Sequence, residues 1–148
     1  YSNGMDLIDF EFLANKGYEF KKIKDAASGG EMSRIMLSIK SIMAKYKQLP
    51  SIIFDEIDTG VSGEISKKMG IIMKELGTKI QTFSITHLPQ IAAMGESHFM
   101  IYKNDTDGYT KTKITRLNDN ERIVEIAKML EGNNASESAY THAKQLLN

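Results

Sequence analysis

The segment SIIFDEIDTGVSG, residues 51–63, runs Ile52, Ile53 and Phe54 straight into Asp55 and Glu56, with Asp58 two residues further on. A β-branched and aromatic run of this kind predicts a strand buried on both faces, as in a parallel sheet covered by helices. Buried carboxylates need partners or a cation, so the acids belong at the strand's exposed C-terminal lip, where open α/β sheets bind ligands. From this segment alone, a solvated loop that merely leads into the next helix accounts for the same three acids.

Downstream, Ser62 is placed to cap a helix whose inner face carries Ile65, Met69, Ile72, Met73 and Leu76, and Gly77 stops it. KIQTFSITH, residues 79–87, predicts a second apolar strand, and Leu88-Pro89 opens a short helix. Upstream, the small-residue stretch AASGGE leads into a helical repeat of Met32, Ile35, Met36, Ile39, Ile42, Met43 and Tyr46, which is expected to face the core. Strand and helix alternating through short connections imply parallel pairing.

The two ends of the chain follow other patterns. Ile8, Phe10 and Phe12 alternate with Asp9 and Glu11, predicting a half-buried strand that turns at Asn15-Lys16-Gly17 and returns as YEFKKI, a short N-terminal hairpin. HFMIYK and YTKTKITRL predict two more strands joined across residues 104–108. Asn118 or Asp119 then starts a helix with Ile123, Ile126, Ala127 and Leu130 inside, ended by Gly132, and Ser136 starts a last one through Ala139, Ala143 and Leu147.

Composition narrows the class of protein. With 41% hydrophobic and 26% charged residues, the 148-residue chain has the make-up of an ordinary globular domain or a piece of one. Lysine plus arginine balance aspartate plus glutamate at 19 each, so net charge makes no argument for nucleic acid or membrane. Absence of cysteine excludes disulfides and thiolate metal sites. No apolar run is long enough to span a membrane, and the opening YSNGMDLIDF reads as the edge of a segment without a basic and apolar leader.

Three stretches at the ends of regular elements carry the chemistry. Ser28-Gly29-Gly30-Glu31 opens a helix with bare backbone N–H groups, a setting that favours a phosphate. Asp55-Glu56 ends one strand, and carboxylates beside a phosphate suit Mg²⁺ and the activation of water. Thr86-His87 ends the next strand, from which an imidazole can reach the same phosphate. His98 and His142 are read as structural.

This succession resembles the second half of an ATP-binding-cassette ATPase. Ser28 to Glu31 is similar to the signature motif, Ile52 to Glu56 to the Walker B strand, Asp58 to the D-loop aspartate and His87 to the switch histidine. AASGGEMSRIMLSIK, SITHLPQIAA, NGMDLIDFEFLANKG and IAKMLEGNNASESAYTHAKQLL resemble, more narrowly, the SMC-like branch that serves bacterial repair of DNA double-strand breaks.

The resemblance implies an α/β fold, the C-terminal part of an ATPase head of the P-loop NTPase type, with a largely parallel sheet flanked by helices across residues 1–148. It implies ATP and Mg²⁺ as ligands, with Asp55 on the metal through water, Glu56 as catalytic base or water-orienting residue, and His87 as a catalytic contact to the γ-phosphate. Ser28, Gly29, Gly30 and Glu31 would bind the nucleotide of a second head, and Asp58 would couple the two sites. The expected partners are an N-terminal Walker A segment of the same protein, a second copy through ATP-sandwiched heads, and DNA in the full-length protein, in the bacterial cytoplasm at the nucleoid and not at a membrane. A non-catalytic ATP-gated clamp, another SMC-like head and a transporter ATPase are the alternatives. One departure is large: no G-x-x-x-x-G-K-[ST] occurs in the chain. The strands expected from the missing segment leave an unpaired sheet edge, which predicts self-association of these residues alone.

Overall fold

The computed structural model describes residues 4–13, 16–17, 19–26, 28–47, 49–106 and 109–148. Strands β1 (Glu11–Phe12) and β2 (Lys21–Lys22) form a small antiparallel hairpin, followed by one helical turn, α1 (Ile23–Ala26). The hairpin is shorter than the alternation predicts: Ile8 and Phe10 are exposed, because no other described element packs on that face. Its turn falls partly at Asn15, outside the described residues, as do Ala27 and the Asp107-Gly108 step of the later loop.

The long helix α2 (Gly29–Lys47) leads to strand β3 (Ser51–Asp55), helix α3 (Gly63–Gly77), strand β4 (Gln81–Ile85) and the short helix α4 (Pro89–Ala92). β3 and β4 pair in parallel, Ser51 opposite Gln81 through Asp55 opposite Ile85. Ile52 and Phe54 point inward against Leu37 and Ala44 of α2 and Met69, Met73 and Leu76 of α3. The Lys40 ammonium lies 5.6 Å from the centre of the Phe54 ring.

Three expectations need correction here. β3 is buried on one face: Ile53 is 59% exposed, and its neighbours Phe83 and Ile85 on β4 are similarly bare. The alternating side chains of a strand need cover on both sides, and α2 and α3 supply only one. The inner stripe of α2 is Leu37 and Ala44, whereas Met36, Ile39, Ile42, Met43 and Tyr46 are exposed. That helix is apolar on more than one stripe, so periodicity alone does not choose which stripe meets the sheet. In α3, Met69, Met73 and Leu76 are buried as expected, while Ile65 and Ile72 are exposed and Ser66 and Gly70 are buried in their stead. A Cβ at Gly70 would stand 3.0 Å from Met94, so glycine lets α3 approach the segment after α4.

Strands β5 (Phe99–Thr106) and β6 (Tyr109–Arg116) form an antiparallel hairpin, Phe99 opposite Arg116. Helix α5 (Asp119–Glu131) begins with a capping box, in which the Asn118 side chain accepts from Glu121 N and Glu121 accepts from Asn118 N. Gly132, at φ 89°, ends it, and Ser136 caps α6 (Glu137–Leu147). Ile126, Ala127, Ala139 and Ala143 form a second core between these helices, with Ala93 from the end of α4. Arg122 ties α5 to the chain after α4 by donating to the carbonyl oxygen of Gly95 at 2.6 Å.

Candidate functional site

Parallel register brings the ends of β3 and β4 level. Asp55 stands opposite Ile85, and Glu56 N donates to the Ile85 carbonyl at 3.0 Å, the last rung of the ladder. Asp55 and Glu56 are both solvent-exposed beyond that rung, on the lip where the sequence pattern puts them.

Glu56 is the one non-glycine with positive φ among the described residues, at 46°. A left-handed backbone disfavours an L-residue by about 1–2 kcal/mol, and such strain persists only when neighbouring bonds hold it. Three bonds do so here: the ladder bond from Glu56 N, and donation to the Glu56 carbonyl from Thr59 N at 3.3 Å and Thr59 Oγ1 at 2.9 Å. The turn reverses the chain immediately after the strand and directs Asp58 back into the protein.

Asp58 is 1% exposed, the most unusual burial in the chain for a carboxylate. Its Oδ2 accepts a short hydrogen bond from Thr86 Oγ1, and Thr86 Oγ1 in turn accepts from Leu88 N at 3.0 Å. His87 Nδ1 lies 3.9 Å from Asp58 Oδ1, which has no hydrogen-bond partner among the described residues. The loop after β3 and the end of β4 are thus joined through side chains 28 residues apart in sequence. Sequence reasoning named Thr86 beside His87 but gave it no role of its own; the bond to Asp58 is what the structure adds.

Ser28 and Glu31 form a second capping box. Ser28 N and Oγ each donate to Glu31 Oε2 at 2.8 Å, and these two bonds, the backbone one first, hold the Glu31 carboxyl below its usual pKa. Gly29 faces open space, whereas a Cβ at Gly30 would stand 3.3 Å from the Gly60 carbonyl oxygen. The start of α2 therefore sits against the loop that follows β3. The signature-like segment thus meets the backbone of the loop that follows the Walker B-like strand, while Ser28, Glu31 and His87 remain exposed to solvent or nearly so.

Two exposed carboxylates supply hard oxygen donors of the kind Mg²⁺ prefers. Among the described residues no three His, Cys, Asp or Glu side chains cluster as a complete metal cage. The residues fit an ion held by one carboxylate and completed by water and phosphate.

Solved SMC heads share this fold. The Smc head domain with coiled coil and joint from Pyrococcus yayanosii matches 78% of this chain and 21% of its own, with a TM-score of 0.62 at 23% identity. A structure from work on ATP-driven dimerization and DNA-stimulated activation of SMC ATPases matches 78% of this chain and 68% of its own, with a TM-score of 0.58 at 23% identity. The fold is accordingly that of an SMC-type ATPase head, a branch of the ABC ATPases.

Sequence relatives narrow the class. DNA repair protein RecN of Bacillus subtilis is 42% identical over 97% of this chain and 25% of its own length, and RecN of Vibrio cholerae is 38% identical over 97% and 26%. The chain is similar to the C-terminal part of RecN and spans about a quarter of those relatives' length. No family model matches it.

Proposed function

We propose that residues 1–148 are the C-terminal part of an ATPase head in a RecN-type protein that acts in recombinational repair of DNA double-strand breaks. The observation that carries this is the level lip of β3 and β4, where Asp55, Glu56 and His87 emerge together beside the buried Asp58. Glu56 orients or deprotonates the water that attacks the γ-phosphate of ATP. His87 contacts that phosphate from the end of β4. Mg²⁺, when bound through Asp55 and water, neutralises charge on the phosphates.

Ser28, Gly29, Gly30 and Glu31 present the helix N-terminus of one head to nucleotide held by a second copy. Because Ser28 Oγ is engaged with Glu31 in the single chain, binding in trans redirects that hydroxyl. The Asp58 side chain is turned into its own chain, so any coupling between heads runs through the loop it anchors. The N-terminal Walker A segment of the same protein contributes the phosphate loop and covers the bare apolar face of Ile53, Phe83 and Ile85. DNA, a second copy and residence in the bacterial cytoplasm belong to the full-length protein. Among the described residues no helix is long and apolar enough to cross a membrane.

Mixing this chain with a separately made N-terminal segment carrying the phosphate loop tests the proposal. ATP turnover is expected only on mixing, and Glu56→Gln should lower it roughly 10²–10⁴-fold. Turnover by the 148 residues alone, or on mixing without dependence on Glu56, overturns it; a stable ATP-binding complex without turnover replaces it with a clamp.

A further inference from the structure

The buried carboxylate of Asp58 is used by neither the metal nor the water-activation role, yet it lies where the loop after β3 meets the end of β4. One oxygen is fixed by the Thr86 hydroxyl, and the other is buried without a partner among the described residues, 3.9 Å from the Nδ1 of His87. A buried acceptor left unpaired is unfavourable, which gives the imidazole a reason to close on it. The distance is slightly beyond hydrogen-bonding reach, and a small rotation of the exposed His87 ring brings the two atoms together.

We propose that Asp58 and Thr86 are a positioning pair for His87: Asp58 Oδ1 accepts the Nδ1–H of the imidazole, leaving Nε2 as the free ring nitrogen. Thr86 takes part twice. Its hydroxyl hydrogen fixes the rotation of the carboxylate, and its oxygen accepts from Leu88 N, which fixes the backbone on the far side of His87. Neither residue touches the nucleotide in this scheme. Which ring nitrogen carries the proton is set by the partner of the other, as in histidines that a carboxylate orients toward a metal. A conformational change in the loop after β3 then reaches the histidine through one side chain, within one head.

The catalytic meaning of this pair rests on the function proposed above, but the tautomer does not. Long-range ¹H–¹⁵N correlation spectra of the labelled 148-residue chain, taken where the imidazole is neutral, read it directly, with His87 assigned by its loss in His87→Gln. The expected result is the Nδ1–H form in the native chain, retained in Thr86→Ser and shifted to the Nε2–H form in Thr86→Val and Asp58→Ala. Unchanged signals from β3, β4 and α3 confirm that a variant is folded. An Nε2–H form in the native chain overturns the proposal without any variant, as does an Nδ1–H form that survives Asp58→Ala. In the mixed ATPase, Thr86→Val should lower kcat roughly tenfold with little change in KM, and Thr86→Ser should restore it.

Discussion

Ile126 and Ile53 are both isoleucines in regular elements with apolar neighbours, yet Ile126 is fully buried and Ile53 is 59% exposed. Around Ile126, α5 and α6 cover each other, and the alanines at 127, 139 and 143 let the two helices approach closely. Around Ile53, the parallel pair has α2 and α3 on one side and nothing among the described residues on the other. The first region closes its core between two successive helices with Ala93 against them, and the second is covered on one face. A parallel strand pair can therefore present level strand ends while the sheet behind them is covered on one face only.

Truncation inside each core is the strongest way to test this contrast. Phe54→Ala should lower stability by about 3–5 kcal/mol and Ile126→Ala by about 2–5 kcal/mol, read in urea titrations. Hydrogen exchange then decides whether the regions are separate. Ile126→Ala is expected to speed exchange in α5 and α6 while sparing β3 and β4, and equal acceleration in both would make them one cooperative unit.

Asn118→Ala removes half of the capping box at the start of α5 and should cost about 0.5–2 kcal/mol. Acid should loosen the same region. Burial first, then Arg122, lowers the pKa of His98 below 6.5, while Glu125 opposes this. The unfolded chain thus binds the proton more readily than the folded one, so stability falls as pH drops from 6.5 toward the lowered folded value. A His98→Gln variant, compared by thermal unfolding across that window, should show a shallower loss. Glu31 and Glu131, whose carboxyls are held low by hydrogen bonds from Ser28 and Ser136, lose their contributions only further into acid, as pH falls through their depressed values.

The smallest effect is the most informative. Ile53→Ser on the bare face should change the stability of this chain by less than about 0.5 kcal/mol, as surface substitutions do. The same change should weaken association with the phosphate-loop segment measured by calorimetry. A large loss of stability in the chain alone would mean that the face is already covered, and the contrast between the two regions would fail.

Local chemistry was written in the chain. Asn118, Gly132 and Ser136 mark the ends of α5 and α6 where the pattern predicts, and the period of Ile126, Ala127, Ala139 and Ala143 identifies their inner faces. SIIFDE and ITH, with the helix opened by SGGE, placed the candidate residues at two strand ends and a helix start, because such boundaries are set by a few adjacent residues. Long-range choices were not written there. Periodicity could not select Leu37 over Met36 on a helix apolar on several stripes, nor tell that β3 would have one covered face, since both depend on which surfaces are present to pack. The burial of Asp58 and its bond to Thr86 likewise arose only when the parallel register set two strand ends side by side, joining residues that no local pattern connects.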